Sequence, residues 1–165
     1  MNITKFGHCC LLIEVDGVRI LTDPGNYSEA PLVTDIDAVL ITHEHQDHCH
    51  VESLSIVLAK NPAARVITHS GVGKILDAAG IKWESIADGE EKELRGVRVK
   101  SVGTEHACIH HDLPPVQNTG FFIAEKLFYP GDSFHNPGQP VEILTLPVAG
   151  PWMKLSEAIE YAKAV

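Results

Sequence analysis

Thr42-His43-Glu44-His45-Gln46-Asp47-His48 is the stretch whose reading decides the fold. It follows Asp37-Ala38-Val39-Leu40-Ile41, an aliphatic, β-branched run without a helical stripe, which reads as a short buried strand. Beyond it, Val51 to Lys60 carries helical periodicity. The cluster therefore belongs on a strand-to-helix loop, where scaffolds commonly present reactive side chains. In extended chain, positions two apart point the same way, so His43, His45 and Asp47 are expected to converge on one side. His48 starts the turn into the helix and approaches from another direction. Imidazole suits zinc and its first-row neighbours, and a carboxylate adds charge for a second ion or holds a water. The following helix N-terminus favours ionised Asp47 and neutral His48, the forms that bind metal. A histidine-rich surface loop is the bland alternative, and the regular spacing behind a buried strand argues against it.

His43-x-His45-x-Asp47-His48 resembles the metal-binding signature of the metallo-β-lactamase superfamily of metal-dependent hydrolases. The opening Phe6-Gly7-His8-Cys9-Cys10-Leu11-Leu12-Ile13, followed by Leu21-Thr22-Asp23-Pro24, is similar to the branch that contains ascorbate-6-phosphate lactonase-like proteins. The resemblance runs through almost the whole chain, residues 1–165, and is read as a single domain. It implies an α+β fold, the four-layer αββα sandwich with metals at one edge between the sheets. By its place in the resemblance, His106 matches the third histidine of the first metal position, and Asp132 the aspartate that bridges two ions. The first position would then take His43, His45, His106 and a share of Asp132, and the second Asp47, His48 and Asp132. The family pattern continues into a further strand with a last histidine, so the resemblance makes this a C-terminally shortened version. His135, three residues beyond Asp132, is in the wrong place to substitute. The expectation is one well-held ion, a second that is weak, water-completed or absent, and a sheet edge that a homodimer would cover.

The implied activity is hydrolysis by a metal-activated water, with zinc the default ion and manganese or iron open. Asp47 is the candidate catalytic residue, orienting the water or moving a proton. A small lactone, ester or phosphorylated metabolite is the implied substrate class. The rival is a metal-binding relative without hydrolytic activity.

Composition fits this reading. A chain of 165 residues with 44% hydrophobic content can bury a substantial core. A net charge of −9 and the lack of a basic run argue against nucleic acid or an anionic membrane as partner. Cys9, Cys10, Cys49 and Cys108 form no recognisable disulfide framework, and Met1 to Gly7 shows no secretory pattern. A reducing cytoplasm is therefore expected.

Along the chain, residues 2–6, 10–15 and 18–22 read as strands, the last two joined at Asp16-Gly17, a strong hairpin signal. His8 reads as a core histidine or one that supports the ligands, and Asn26 to Thr34 as a polar loop. Ala64 to Thr68 reads as a buried strand, His69 to Lys74 as a turn and Ile75 to Ala79 as a helix ended by Gly80. The glycines and Lys74 invite a phosphate-loop reading, but Thr68 and Ile75 stand where that pattern needs glycine and Ser or Thr. Val97 to Val102 and Val141 to Val148 read as strands. Asn118 to Ala124 and Leu127 to Pro130 read as a hairpin around Glu125-Lys126, and Leu155 to Ala164 as a helix. His110 and His111 read as solvated residues at a cleft rim.

Overall fold

The computed structural model describes residues 1–28 and 32–165. One sheet runs in the order β1 (Asn2–Lys5), β2 (Leu11–Val15), β3 (Val18–Thr22), β4 (Ala38–Leu40), β5 (Arg65–Thr68), β6 (Glu84–Ser85). The other runs β11 (Ile143–Leu144), β10 (Leu127–Tyr129), β9 (Gly120–Ile123), β8 (Val97–Val102), β7 (Glu91–Leu94). Among the described residues three helices complete the fold: α1 (Val51–Lys60), α2 (Ser70–Ala78) and α3 (Leu155–Ala164). Strands β1 to β3 pair antiparallel, whereas β3 to β6 pair parallel.

Period-two alternation builds the layers. Leu11, Ile13, Val15, Val18, Ile20, Leu40 and Ile67 face Val97, Val99, Phe121, Ile123, Leu127 and Tyr129 across the space between the sheets. The intervening residues of the first sheet, Leu12, Leu21, Val39 and Val66, turn the other way and pack on Leu54 and Val57 of α1 and Val72 and Leu76 of α2. On the second sheet, Phe122 and Phe128 turn outward onto Tyr161 of α3. Helix, sheet, sheet, helix is the expected four-layer αββα sandwich. Each fully buried Leu, Ile or Phe contributes about 1.5–3 kcal/mol relative to exposure, so the four layers are held mainly by this alternation.

Several elements differ from the sequence expectation. Helix α2 starts at Ser70 rather than Ile75 because the His69 side chain caps it, accepting a hydrogen bond from Gly71 N. Gly73 lies inside this helix because a Cβ there would stand 2.2 Å from the Trp83 ring. The strand expected over Val141 to Val148 shrinks to Ile143–Leu144, a parallel partner for the edge of β10. The hairpin after β9 turns one residue earlier than expected, at Ala124 and Glu125, both with positive φ. The loop expected at Asn26 to Thr34 falls in part on residues 29–31, outside the described residues. All four cysteines are free. Among the described residues no helix is long and apolar enough to cross a membrane.

Strands β3, β4 and β5 are parallel, so their C-terminal ends lie along one edge of the first sheet. The chain leaving β8 and the chain leaving β10 reach that same edge. Thr119 N donates to Thr42 O at 2.9 Å, and Asn118 Nδ2 donates to Pro130 O at 2.9 Å. This edge gathers the residues that carry chemistry.

Candidate metal centre

His43 and His45 leave β4 on a loop that turns rather than extends. His48 N and Cys49 N both donate to His45 O, at 2.9 and 2.7 Å. His43 and His45 come together, with ring centroids 4.7 Å apart, and the turn that starts at His45 carries Asp47 and His48 away from the extended direction. The loop lies directly on Gly25, where a Cβ would stand 1.8 Å from Asp47 O, and Asn26 N donates to Gln46 O at 2.8 Å. Any side chain at position 25 would push the loop outward.

The rings of His43, His45 and His106 form a nearly equilateral triangle, with centroid separations of 4.7, 4.8 and 4.8 Å. Their ligand atoms lie within 4.8 Å of one another, and so do those of His43, His48 and Asp132. Asp132 stands between the two groups. Its Oδ1 is 3.3 Å from His48 Nε2 and its Oδ2 is 3.5 Å from His106 Nε2. Donors sharing a tetrahedral ion at ordinary bond lengths stand roughly 3.3–3.6 Å apart.

The unused nitrogens carry the argument further. His43 Nε2, His48 Nε2 and His106 Nε2 are buried and make no hydrogen bond. Such groups are costly unless something else satisfies them. The opposite nitrogen of each ring is engaged. His48 Nδ1 donates to Asp23 Oδ2 at 2.8 Å, and His106 Nδ1 donates to Ala107 O at 2.6 Å. Thr42 Oγ1 gives its hydrogen to Asp23 Oδ2 at 2.7 Å, so at its 3.0 Å contact with His43 Nδ1 the imidazole donates. Acceptor-only partners thus fix Nδ1 as the N–H in two rings, and Thr42 does so in the third. With Nδ1 engaged, Nε2 is the ring atom each imidazole keeps for an ion, the arrangement that supporting groups impose on metal-binding histidines. The donor set fits a divalent first-row ion, with nitrogen ligands and one shared carboxylate.

Electrostatics follow this construction. Burial, reinforced by neighbouring His48, pushes His43 well below the usual imidazole range. Burial and then His106 lower His45. Burial opposes a charge on His48, but Asp23 and Asp132 together outweigh it and raise the ring's pKa. Burial likewise opposes ionisation of Asp132, yet His106 and His48 at its oxygens hold the carboxyl well below the ordinary range.

Asp47 occupies the margin of the cavity. Its Oδ2 lies 3.8 Å from His48 Nε2 and forms a 3.0 Å contact with His8 Nε2. His135 packs against Gly103 instead of joining these groups. His110 and His111 are exposed, as expected of rim residues.

Three residues escaped the sequence reading. Asp23 is fully buried and accepts from Thr42 N, Thr42 Oγ1, His48 Nδ1 and the Tyr129 hydroxyl, all within 2.8 Å. Tyr129 comes from the second sheet and ties the two halves together. Trp152 Nε1 donates to Asp132 Oδ2 at 2.9 Å. The signal for Asp23 was present, since Thr22-Asp23-Pro24 puts a carboxylate immediately after a buried strand. Tyr129 and Trp152 carry no local signal of this role. Gly131 has φ +64°, and a Cβ there would meet Asn118 Oδ1 at 2.4 Å, so its freedom serves protein packing beside the cavity.

A family model described as beta-lactamase superfamily domain matches residues 2–165. The chain is 39% identical to protein Rv0786c of Mycobacterium tuberculosis, over all of this chain and 79% of that one. It is 28% identical to the UPF0173 metal-dependent hydrolase Ta0764 of Thermoplasma acidophilum, with the same coverage. Among solved structures, one provisionally assigned as a metal-dependent hydrolase from Parabacteroides distasonis superposes with a TM-score of 0.79 at 23% identity. That match covers 98% of this chain and 76% of the other. A provisionally assigned Zn-dependent hydrolase of the metallo-β-lactamase superfamily from Thermotoga maritima gives 0.59 at 26% identity, covering 98% and 69%. The diiron β-hydroxylase CmlA of Streptomyces venezuelae gives 0.64 at 25% identity, covering 84% of this chain and 30% of that one.

Proposed function

The chain belongs to the beta-lactamase superfamily, and from that premise we propose that it is a metal-dependent hydrolase of a small lactone, ester or phosphorylated metabolite. The observation that carries this reading is the convergence of two buried, unpartnered Nε2 atoms, those of His48 and His106, on the two oxygens of Asp132, with the equally buried and unpartnered Nε2 of His43 in the same group. His43, His45 and His106 would hold one ion, His48 and Asp47 a second, and Asp132 would be shared. Ions bound there supply Lewis acidity, lowering the pKa of a water toward ~7 and polarising a carbonyl or phosphoryl oxygen. Zinc is the default for this donor set, in keeping with the Thermotoga relative, and the CmlA relative keeps iron in view.

The chain's own residues have distinct tasks in this reading. Asp23 fixes the His48 tautomer, and Trp152 orients Asp132 through its indole N–H. Asp47, less buried than the His48 beside it, would orient the attacking water or move its proton where the second position is empty. Substrate is received beside His106. A hollow of ≈ 210 Å³ lies there, lined in part by Ile109, Leu113, Pro114, Pro115 and Val116. Its size and apolar lining suit a small organic molecule better than a polymer.

The test is elemental analysis of protein purified without added metal, followed by an esterase, lactonase and phosphodiesterase screen. Retained ion, its loss in His106→Ala and hydrolysis abolished by chelation are expected. Stoichiometric metal with no turnover across all three substrate classes would favour the rival, a metal-binding relative without hydrolysis. Unchanged activity and metal content in Asp47→Asn would remove Asp47 from its assigned role.

A further inference from the structure

His8 belongs to none of the loops that carry the other histidines, yet its ring reaches the same cavity. It sits between β1 and β2, just after Gly7, with φ +32°. That conformation is unusual for a residue with a side chain and is kept only where the surroundings enforce it. They do so here. Phe6 N donates to Cys10 O, Cys10 N donates to Gly7 O, and Ser28 Oγ donates to Gly7 O. The pinned turn places the His8 ring edge-on to both Tyr27 and His48, with centroids 5.5 and 5.8 Å away.

We propose that His8 is a further metal ligand of this chain, its Nε2 joining Asp47, His48 and Asp132 around the second ion position. The inference rests on the two-ion reading above. Its support is geometric. His8 Nε2 stands 3.0 Å from Asp47 Oδ2, that oxygen 3.8 Å from His48 Nε2, and His48 Nε2 3.3 Å from Asp132 Oδ1. Taken one after another, these separations are near the spacings of donors that share an ion. His48 Nε2 at the middle of this series is buried and makes no hydrogen bond. Ligand atoms of His8, Cys9 and His48 also lie within 4.8 Å of one another. Of the two newcomers, Cys9 Sγ meets the backbone carbonyl of Asp47 at 3.1 Å, whereas the His8 ring meets its carboxylate, itself a candidate ligand. His8 keeps a free direction toward solvent, with 37% of its side chain exposed. Asp47, His48 and Asp132 offer three donors, and His8 would add an imidazole to them.

The experiment titrates chelator-stripped protein with Co²⁺, followed by visible absorption and by the number of hyperfine-shifted imidazole resonances in proton NMR. Both proteins carry His110→Ala and His111→Ala, so the exposed histidines bind nothing. The test variant adds His8→Asn, because asparagine tolerates positive φ. Circular dichroism and a thermal melt establish that it folds. The expected result is two ions per chain in the background protein. In the variant the first keeps its affinity, the second weakens by at least ~10-fold, and one imidazole resonance disappears. A second ion that weakens while every imidazole resonance remains would overturn the proposal, reducing His8 to a residue that orients Asp47. Unchanged affinity for both ions would overturn it as well. If the background protein takes one ion and His8→Asn leaves it untouched, this proposal alone fails. If it takes none, the metal reading fails with it.

Discussion

Two groups of histidines and acids lie a short distance apart in this chain, and they are built in opposite ways. His43, His48 and His106 have their Nδ1 atoms fixed by protein partners, while their Nε2 atoms are buried and unpartnered. His110, His111 and Asp112 also bring ligand atoms within 4.8 Å of one another, but all three are exposed. Their rings lean on each other and on Asp112, with water free to satisfy every nitrogen. Composition does not separate the two groups. What separates them is whether the protein has already spent desolvation and hydrogen bonds on aiming a lone pair at one point.

The strongest way to break this contrast is to remove the group that aims the lone pairs. Asp23→Ala leaves Thr42, His48 and Tyr129 facing an empty space in the core. Loss of one member of a buried charged network costs about 3–5 kcal/mol. Urea unfolding should show that loss, and His48 should no longer be held for metal. An unfolding midpoint within error of wild type would mean that Asp23 organises nothing.

Tyr129→Phe sharpens the same point with a smaller cut. The ring keeps its packing between the sheets, and only the hydroxyl that meets Asp23 Oδ2 at 2.7 Å is lost. Burial and the adjacent Asp23 carboxylate push the phenol's pKa well above its usual range, so the group is a donor throughout ordinary working pH. A hydrogen bond to a charged acceptor contributes about 1.5–3 kcal/mol, and the variant should lose that much in denaturant titration. Metal affinity should fall less than in Asp23→Ala, since His48 keeps its carboxylate. The opposite ranking would place the anchor in the tyrosine.

The contrast also explains what could be read from residues alone. His43, His45, Asp47 and His48 are legible because their spacing is local and a buried strand precedes them. His106 and Asp132 are legible only through the family resemblance, since nothing near them in sequence points back to position 43. The four layers are likewise legible only through the resemblance, because in β2, β3 and β9 apolar residues mark both faces and no amphipathic pattern singles out one of them. Helix α2 was misplaced at its start because Gly71 and Gly73 lower helix propensity, and the reason for Gly73 lies ten residues away in Trp83. Strand β7, Glu91-Lys92-Glu93-Leu94, has three charged residues of four and forms because β8 offers it an edge. Asp23, Tyr129 and Trp152 define their roles through partners between 19 and 106 residues away. No window of sequence holds both ends of such a contact.

The smallest expected effect belongs to the exposed group, and it tests the contrast most directly. His110→Ala combined with His111→Ala removes two of the chain's ten histidines. If histidine density made the site, metal retention should fall with the count. Because neither ring is buried or aimed, unfolding free energy should shift by no more than about 0.5 kcal/mol. The ions retained through gel filtration in the absence of added metal should be unchanged in number. Exposed imidazoles pay the full entropy of ordering when they bind, so any ion they collect under metal excess should be lost on that column. A double variant that loses tightly held metal would show that the exposed pair is part of the centre, and that burial is the wrong criterion for telling the two groups apart.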